Sequence, residues 1–184
     1  QIASDGENLP LQERAIRGLG MIANRRKGNP VARREWADFL RGLEKDLPAS
    51  RLPSYLAALG HAGIEELQET ILGYANHASD AVRAQAVFAM RSLDDNKVKG
   101  ILLEKIRQDS SQDVRLQAFR ALSGRNPETA WSGVRLAARD PSVDVRREAA
   151  VWLVGRLPAG TEARDLLGAI AAKDRDVARA APIE

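Results

Sequence analysis

Asp80-Ala-Val82-Arg83, with Ala86 and Met90 behind it, returns as Asp113-Val114-Arg115 with Ala118 and Leu122, and again as Asp144-Val145-Arg146 with Ala149 and Leu153. A reduced fourth copy reads Asp176-Val177-Ala178-Arg179 with Ala181. The marker valines 82, 114, 145 and 177 recur about every 32 residues, a fixed period that signals stacked structural repeats. Counted from each valine, apolar residues at +4, +7, +8 and +11 lie on one face of an α-helix, as in Val82, Ala86, Ala89, Met90 and Leu93. Each repeat therefore ends in a core helix. Alanine at +4 leaves room for a neighbouring helix to approach closely and has the best helix propensity. The acid before the valine occupies the first turn, where it favours the positive end of the helix dipole.

Working outward, the segments between the phrases read as the first helices of each pair: Lys97 to Gln108, Pro127 to Ala138 and Thr161 to Ala172. Upstream, Ser50 to Gly60 is a helix ended by Gly63, and Arg51 to Gly60 corresponds to an earlier, diverged second helix of a repeat. Ile64 to Ala75 follows as a helix opened by Glu65, Glu66 and Glu69. Nearer the start, Leu11, Ala15, Leu19 and Ile22 with Ile16 and Ala23 mark a helix from Pro10 to Asn24, and residues 25–30 form a basic loop. Val31 to Asp46 is a helix whose Trp36, Phe39, Leu40, Leu43 and Leu47 are assigned to the core. Residues 1–8 lack periodicity; the division expected is a loose segment 1–9 and a single helical repeat domain 10–184. The chain opens on Gln and reads as a processed product or a piece of a longer array.

The phrase Asp-Val-Arg-x-x-Ala-x-x-Ala-Leu in paired helices resembles the HEAT-repeat family. That resemblance implies an all-α, right-handed α-α superhelix, here of about five helix pairs. It also implies that Asp113, Arg115, Asp144 and Arg146 are structural, forming a polar ladder between repeats; buried charges need such partners. A narrower resemblance rests on Ala15-Ile-Arg-Gly-Leu-Gly20, Tyr55-Leu-Ala-Ala-Leu-Gly-His-Ala-Gly63, Ile64-Glu-Glu-Leu67 and Ser79-Asp-Ala-Val-Arg83. These are similar to the helical domain of vitellogenin and microsomal-triglyceride-transfer lipid-transport proteins, with His61 where that family has Asn. That family holds lipid mainly between β-sheets and braces them with helices. The implied role is a brace, with lipid reached only through attached domains.

Composition narrows the chemistry. A hydrophobic content of 44% with only 4% aromatic describes an Ala/Leu/Val-packed helical protein. There is no cysteine, hence no disulfide frame, thiol nucleophile or Cys-based metal site. The two histidines, His61 and His77, lack ligand partners at helical spacing, and Asp94-Asp95-Asn96 reads as a turn rather than a calcium loop. Nucleotide-binding glycine fingerprints and nucleophile elbows are missing, so neither an enzyme nor a cofactor is expected. No apolar run is long enough to span a membrane. The net charge of +3 is a mild excess, and its distribution matters more than its sum.

What remains is surface. On the repeated helices the offsets that point away from the core place Phe88, Arg91, Leu116, Arg120, Arg147, Val151 and Val154 on a mixed apolar and arginine strip. Arginines set singly among apolar residues suit a protein or peptide interface better than a phosphate track. The expected function is a non-enzymatic scaffold that binds a protein along this strip. The lipid-transport brace and a HEAT-like nucleic-acid-binding module are the alternatives. The latter needs clustered Arg, Lys, Trp and Asp, whereas Trp36, Trp131 and Trp152 fall on separate helices.

Overall fold

The computed structural model describes residues 9–156 and 161–174, and among these there are helices and no strands. Ten α-helices follow one another: α1 (Leu9–Arg26), α2 (Pro30–Leu43), α3 (Leu52–Ala62), α4 (Gln68–Gly73), α5 (Asp80–Ala89), α6 (Asn96–Gln108), α7 (Gln112–Ser123), α8 (Pro127–Ala137), α9 (Val143–Arg156) and α10 (Thr161–Lys173). The fold is all-α and built of successive helical repeats. The chain divides into two compact units after Val98, within α6. The fourth phrase, at 176–181, and most of the expected loose N-terminal segment lie outside the described residues.

In the first unit α1 packs on α3, and α3 on α5. Both contacts bring main chain almost against main chain. A Cβ added at Gly20 would stand 2.1 Å from the Ala58 carbonyl oxygen, and one at Gly60 would stand 2.8 Å from Ala89 Cα. The buried stripe of α1 is therefore Ile16, Gly20 and Ala23, while Leu11 and Ile22 face solvent. The apolar periodicity of this helix has two possible faces, and close approach to α3 selects the one that carries the glycine. Helix ends are satisfied by side chains. Asn24 of α1 donates to the last carbonyls of α3, His61 O at 2.9 Å and Ala62 O at 3.1 Å. Gly63 then ends α3 in the left-handed region at φ 57°. Asn29 accepts from the amides of Val31 and Ala32 at the start of α2, where Pro30 takes the first helical position.

Three expectations in this unit are corrected. α1 continues through Arg26, so the basic loop is shorter than residues 25–30. Residues 64–75 form a short 3₁₀ turn, Glu65–Leu67, followed by α4 rather than one helix. Phe39 is exposed, touching Trp36 edge to face at 5.6 Å, because Ala37 and Leu40 are the residues α2 buries. A polar cluster completes the unit. The Glu44 carboxylate accepts from Tyr74 Oη at 2.5 Å and from buried Tyr55 Oη at 3.5 Å. Burial, with Glu44 beside it, pushes the Tyr74 phenol up to about 12.

In the second unit α7 packs on α8 and α9, α8 on α9, and α9 on α10. The marker valines Val114 and Val145 are buried with Ala118, Leu122, Ala149 and Leu153. Gly133 of α8 faces the Leu122 side chain, whose Cδ2 would lie 2.5 Å from an added Cβ.

The phrase arginines all reach backward, and two of them also reach forward. Each turns back to two carbonyls of the loop before its own helix: Arg83 Nη1 to His77 and Ala78, Arg115 Nη1 to Asp109 and Ser110, Arg146 Nη1 to Asp140 and Pro141. Arg115 also forks onto the buried Asp140 carboxylate at 2.8 and 3.0 Å, and Arg146 forks onto Asp174. The acids that pair with the expected ladder arginines are thus Asp140 and Asp174. Asp113 and Asp144 are exposed in the first turns of α7 and α9, with Asp144 accepting from Arg147 at 3.0 Å. The reason is reach. An acid in the first turn points to water beside its own arginine, whereas an acid in the loop of the next repeat lies where the guanidinium already goes.

Hydrogen bonding from Arg146 holds the Asp174 carboxyl below the usual carboxylate range. Because the folded value lies below the unfolded one, the contribution of this pair is complete above the unfolded pKa of about 4 and fades as pH falls through the folded value. Thermal melts from pH 6 down to pH 2 should show the wild-type melting temperature falling below about pH 4, and Asp174→Asn should flatten part of that fall. Equal slopes for the two proteins would contradict the assignment.

Candidate interaction surface

The strip of predicted surface residues is best described one unit at a time. In the first unit Phe88 is half-buried near the end of α5, and the Arg91 guanidinium lies 4.0 Å above its ring while Nη1 donates to Phe88 O at 3.0 Å. Burial lowers the Arg91 pKa from its ordinary value. The same arginine contributes, after burial, to lowering the pKa of the neighbouring His61. Phe88 and Arg91 form one stacked pair, so the arginine's face is already covered by an aromatic ring.

In the second unit Leu116 is half-buried on α7 and Phe119 fully buried. Arg120 reaches from α7 to α9 and forks onto Glu148 with both contacts at 3.0 Å, which raises the arginine's pKa. Arg147 is exposed and held by Asp144 on its own helix. Among the apolar members, Val151 is 65% exposed and Val154 44%. α9 carries apolar residues on two sides, burying Val145, Ala149, Trp152 and Leu153 on one and presenting these valines on the other, with charged residues between them. Beside Val151 lies a groove of about 310 Å³ between α7 and α9, lined by Phe119, Ser123, Glu148, Trp152, Gly155 and Arg156.

A second cleft, about 640 Å³, opens among α8, α9 and α10. Here the structure brings together Trp131 and Trp152, whose ring centroids are 6.0 Å apart, contrary to the expectation that the tryptophans are scattered. Arg135 lies over Trp131 and Arg156 over Trp152. Glu162, in the first turn of α10, accepts from Arg135 at 2.6 and 2.9 Å and from Trp131 Nε1 at 3.2 Å, and Arg135 holds its carboxyl below the usual range. The Trp152 indole N–H donates to Ser123 O at 3.0 Å. Reading Trp152 simply as core missed this pairing. The signal was present: at +7 from the marker valine the other repeats carry Ala89 and Ala121, and the indole in that place needs room that α8 and α10 frame.

No group of three or more His, Asp or Glu side chains is placed to hold a metal ion among the described residues. Asp95 accepts from Lys97 N at 2.7 Å and from Gln68 Nε2 at 2.8 Å, which is turn chemistry. No described helix is long and apolar enough to cross a membrane.

Compared with known proteins, residues 100–184 match the family model of HEAT repeats. No curated protein and no solved structure matches the chain. The likeness to lipid-transport proteins finds no support in these comparisons.

Proposed function

We propose, on the premise that this chain carries HEAT repeats over residues 100–184, that it is a non-enzymatic scaffold that binds a protein or peptide partner across α7 and α9. HEAT repeats are commonly protein-interaction scaffolds. The observation that carries the reading is the exposure of Val151 and Val154 beside the groove lined by Phe119 and Trp152. An apolar ridge next to an aromatic-floored groove, rimmed by arginines, has the anatomy of a protein interface. Arg120 and Arg147 supply that rim with their charge already balanced by Glu148 and Asp144.

The same pairing argues against a nucleic-acid track, which gathers positive charge that acids do not offset. The tryptophan cleft is balanced in the same way, with Glu128 and Glu162 lining it beside Arg135 and Arg156.

The test is site-specific photocrosslinking from position 151 in cells, followed by quantitative binding of the captured protein. Val151→Glu with Val154→Glu should weaken that binding more than tenfold, because burying two valines is worth about 1.5 kcal/mol or more each, with the melting temperature unchanged. Partner affinity unaltered by the double substitution would reject this face. Salt-sensitive duplex binding abolished by Arg147→Glu would reject the reading itself.

A further inference from the structure

The first unit carries an apolar face that nothing in the described residues covers, and its chemistry differs from that of α9. On α1 the residues Leu11, Ala15, Gly18 and Ile22 recur at +4, +7 and +11, a single stripe opposite the Ile16, Gly20 and Ala23 face that packs on α3. On this stripe Leu11 is 65% exposed and Ile22 45%, and Met21, 55% exposed, flanks it about a quarter-turn away. Side chains this large and this open along one helix face mark an interaction surface rather than scattered exposure.

Two further features specify what fits. The stripe is low in its middle. An added Cβ at Gly18 meets nothing within 4 Å, so this mid-helix glycine lowers helix stability with no compensating contact inside the chain. On the opposite face of the same helix, small residues admit α3 to main-chain contact at Gly20. The outer face is low in the same way, with Leu11 and Ile22 standing at the two ends of the stripe and Ala15 and Gly18 between them. Its flanks are basic: Arg14, Arg25 and Arg26 are exposed, and none of the three has an ion-pair partner among the described residues. The acid on this helix, Glu13, is drawn to Arg17 and to Arg51 of the unit's interior.

From this we infer that the outer face of α1 docks an amphipathic helix of another protein, one with a narrow apolar ridge and acidic flanks. A second copy of this chain would set arginines against arginines, and like charges across an interface are unfavourable. An anionic membrane surface would favour a convex apolar face with aromatic residues. α1 instead carries a recessed strip and no aromatic side chain.

The probe is a synthetic helix of about 18 residues with leucine at i, i+4, i+7 and i+11 and glutamate on both flanks, paired with the same peptide carrying lysine in place of glutamate. The glutamate peptide should bind saturably, gain helicity on binding, and weaken as salt rises. Ile22→Glu should reduce its affinity tenfold or more, and Arg14→Glu with Arg25→Glu should reverse the preference toward the lysine peptide. Val151→Glu should leave both affinities unchanged, which separates this surface from that on α9. The inference is overturned if the glutamate peptide does not bind, if Ile22→Glu leaves binding intact, or if the lysine peptide binds equally well to the wild type. It is also overturned if Ile22→Glu abolishes either dimerisation in sedimentation equilibrium or association with phosphatidylserine vesicles.

Discussion

Asp140→Ala is expected to lower the unfolding free energy by about 3–5 kcal/mol, the cost of leaving a buried charge without its partner. Asp140 and Arg115 are both almost fully buried, and the guanidinium forks onto the carboxylate at 2.8 and 3.0 Å. The same carboxylate accepts from Ser142 N at 2.7 Å, so the substitution also frees the turn into α9. Removing both members is milder than removing one: Arg115→Met with Asp140→Leu should recover at least half the loss, because an apolar pair need not be solvated. Urea denaturation of the wild type, Arg115→Met, Asp140→Leu and the double variant measures this directly. A double variant as unstable as the sum of the singles would mean that the fork couples nothing. The Arg135–Glu162 fork on α8 and α10 is the natural contrast. It has the same two-pronged geometry but lies in water, and Glu162→Ala should change stability little.

Gly20→Ala is the second large effect, and here the smallest possible side chain is too big. Its Cβ would sit 2.1 Å from the Ala58 carbonyl oxygen and 2.7 Å from Ala58 Cα. These are main-chain atoms within α3, which cannot swing aside as a side-chain tip can. Overpacking commonly costs about 1–3 kcal/mol, and a clash that separates two helices belongs at the top of that range or above it. A melting temperature lower by roughly ten degrees or more is expected for a domain of this size. Gly18→Ala, two residues away with open space at its Cβ, should instead stabilise by about 0.5–1 kcal/mol through helix propensity alone. If the two alanines behave alike, the close approach of α1 to α3 is not what holds the first unit together.

The repeat phrase made the class of fold legible because an apolar period survives divergence of everything around it. The starts of α8 and α10 and the ends of α3 and α6 follow from proline, glycine and the valine register. What escaped was the choice between faces. α1 has apolar residues on two sides, and periodicity alone favours the larger side chains, whereas packing on α3 favours the glycine. Phe39 reads as a core residue for the same reason, yet is exposed. Partner choice among charges was equally hidden: an acid beside an arginine in sequence looks like its mate, yet Arg115 turns to Asp140, 25 residues on. The clue lay in Asp109 and Asp140, each five residues before a marker valine, a recurrence outside the phrase itself.

For the proposed surfaces, hydropathy pointed to Val151 and Val154, but nothing in one dimension shows that Arg120 is already held by Glu148 or that Trp131 stands beside Trp152. Those are facts of neighbouring turns in different helices.

The two-handed grip of the phrase arginines bears on where such an array can be cut. Since Arg115 fastens the loop behind it and the acid of the loop ahead, no single helix pair in this stretch is closed upon itself. The natural unit of duplication or grafting runs from one guanidinium to the carboxylate it grasps. A splice placed at the helix boundaries would strand a cation on one side of the seam and an anion on the other.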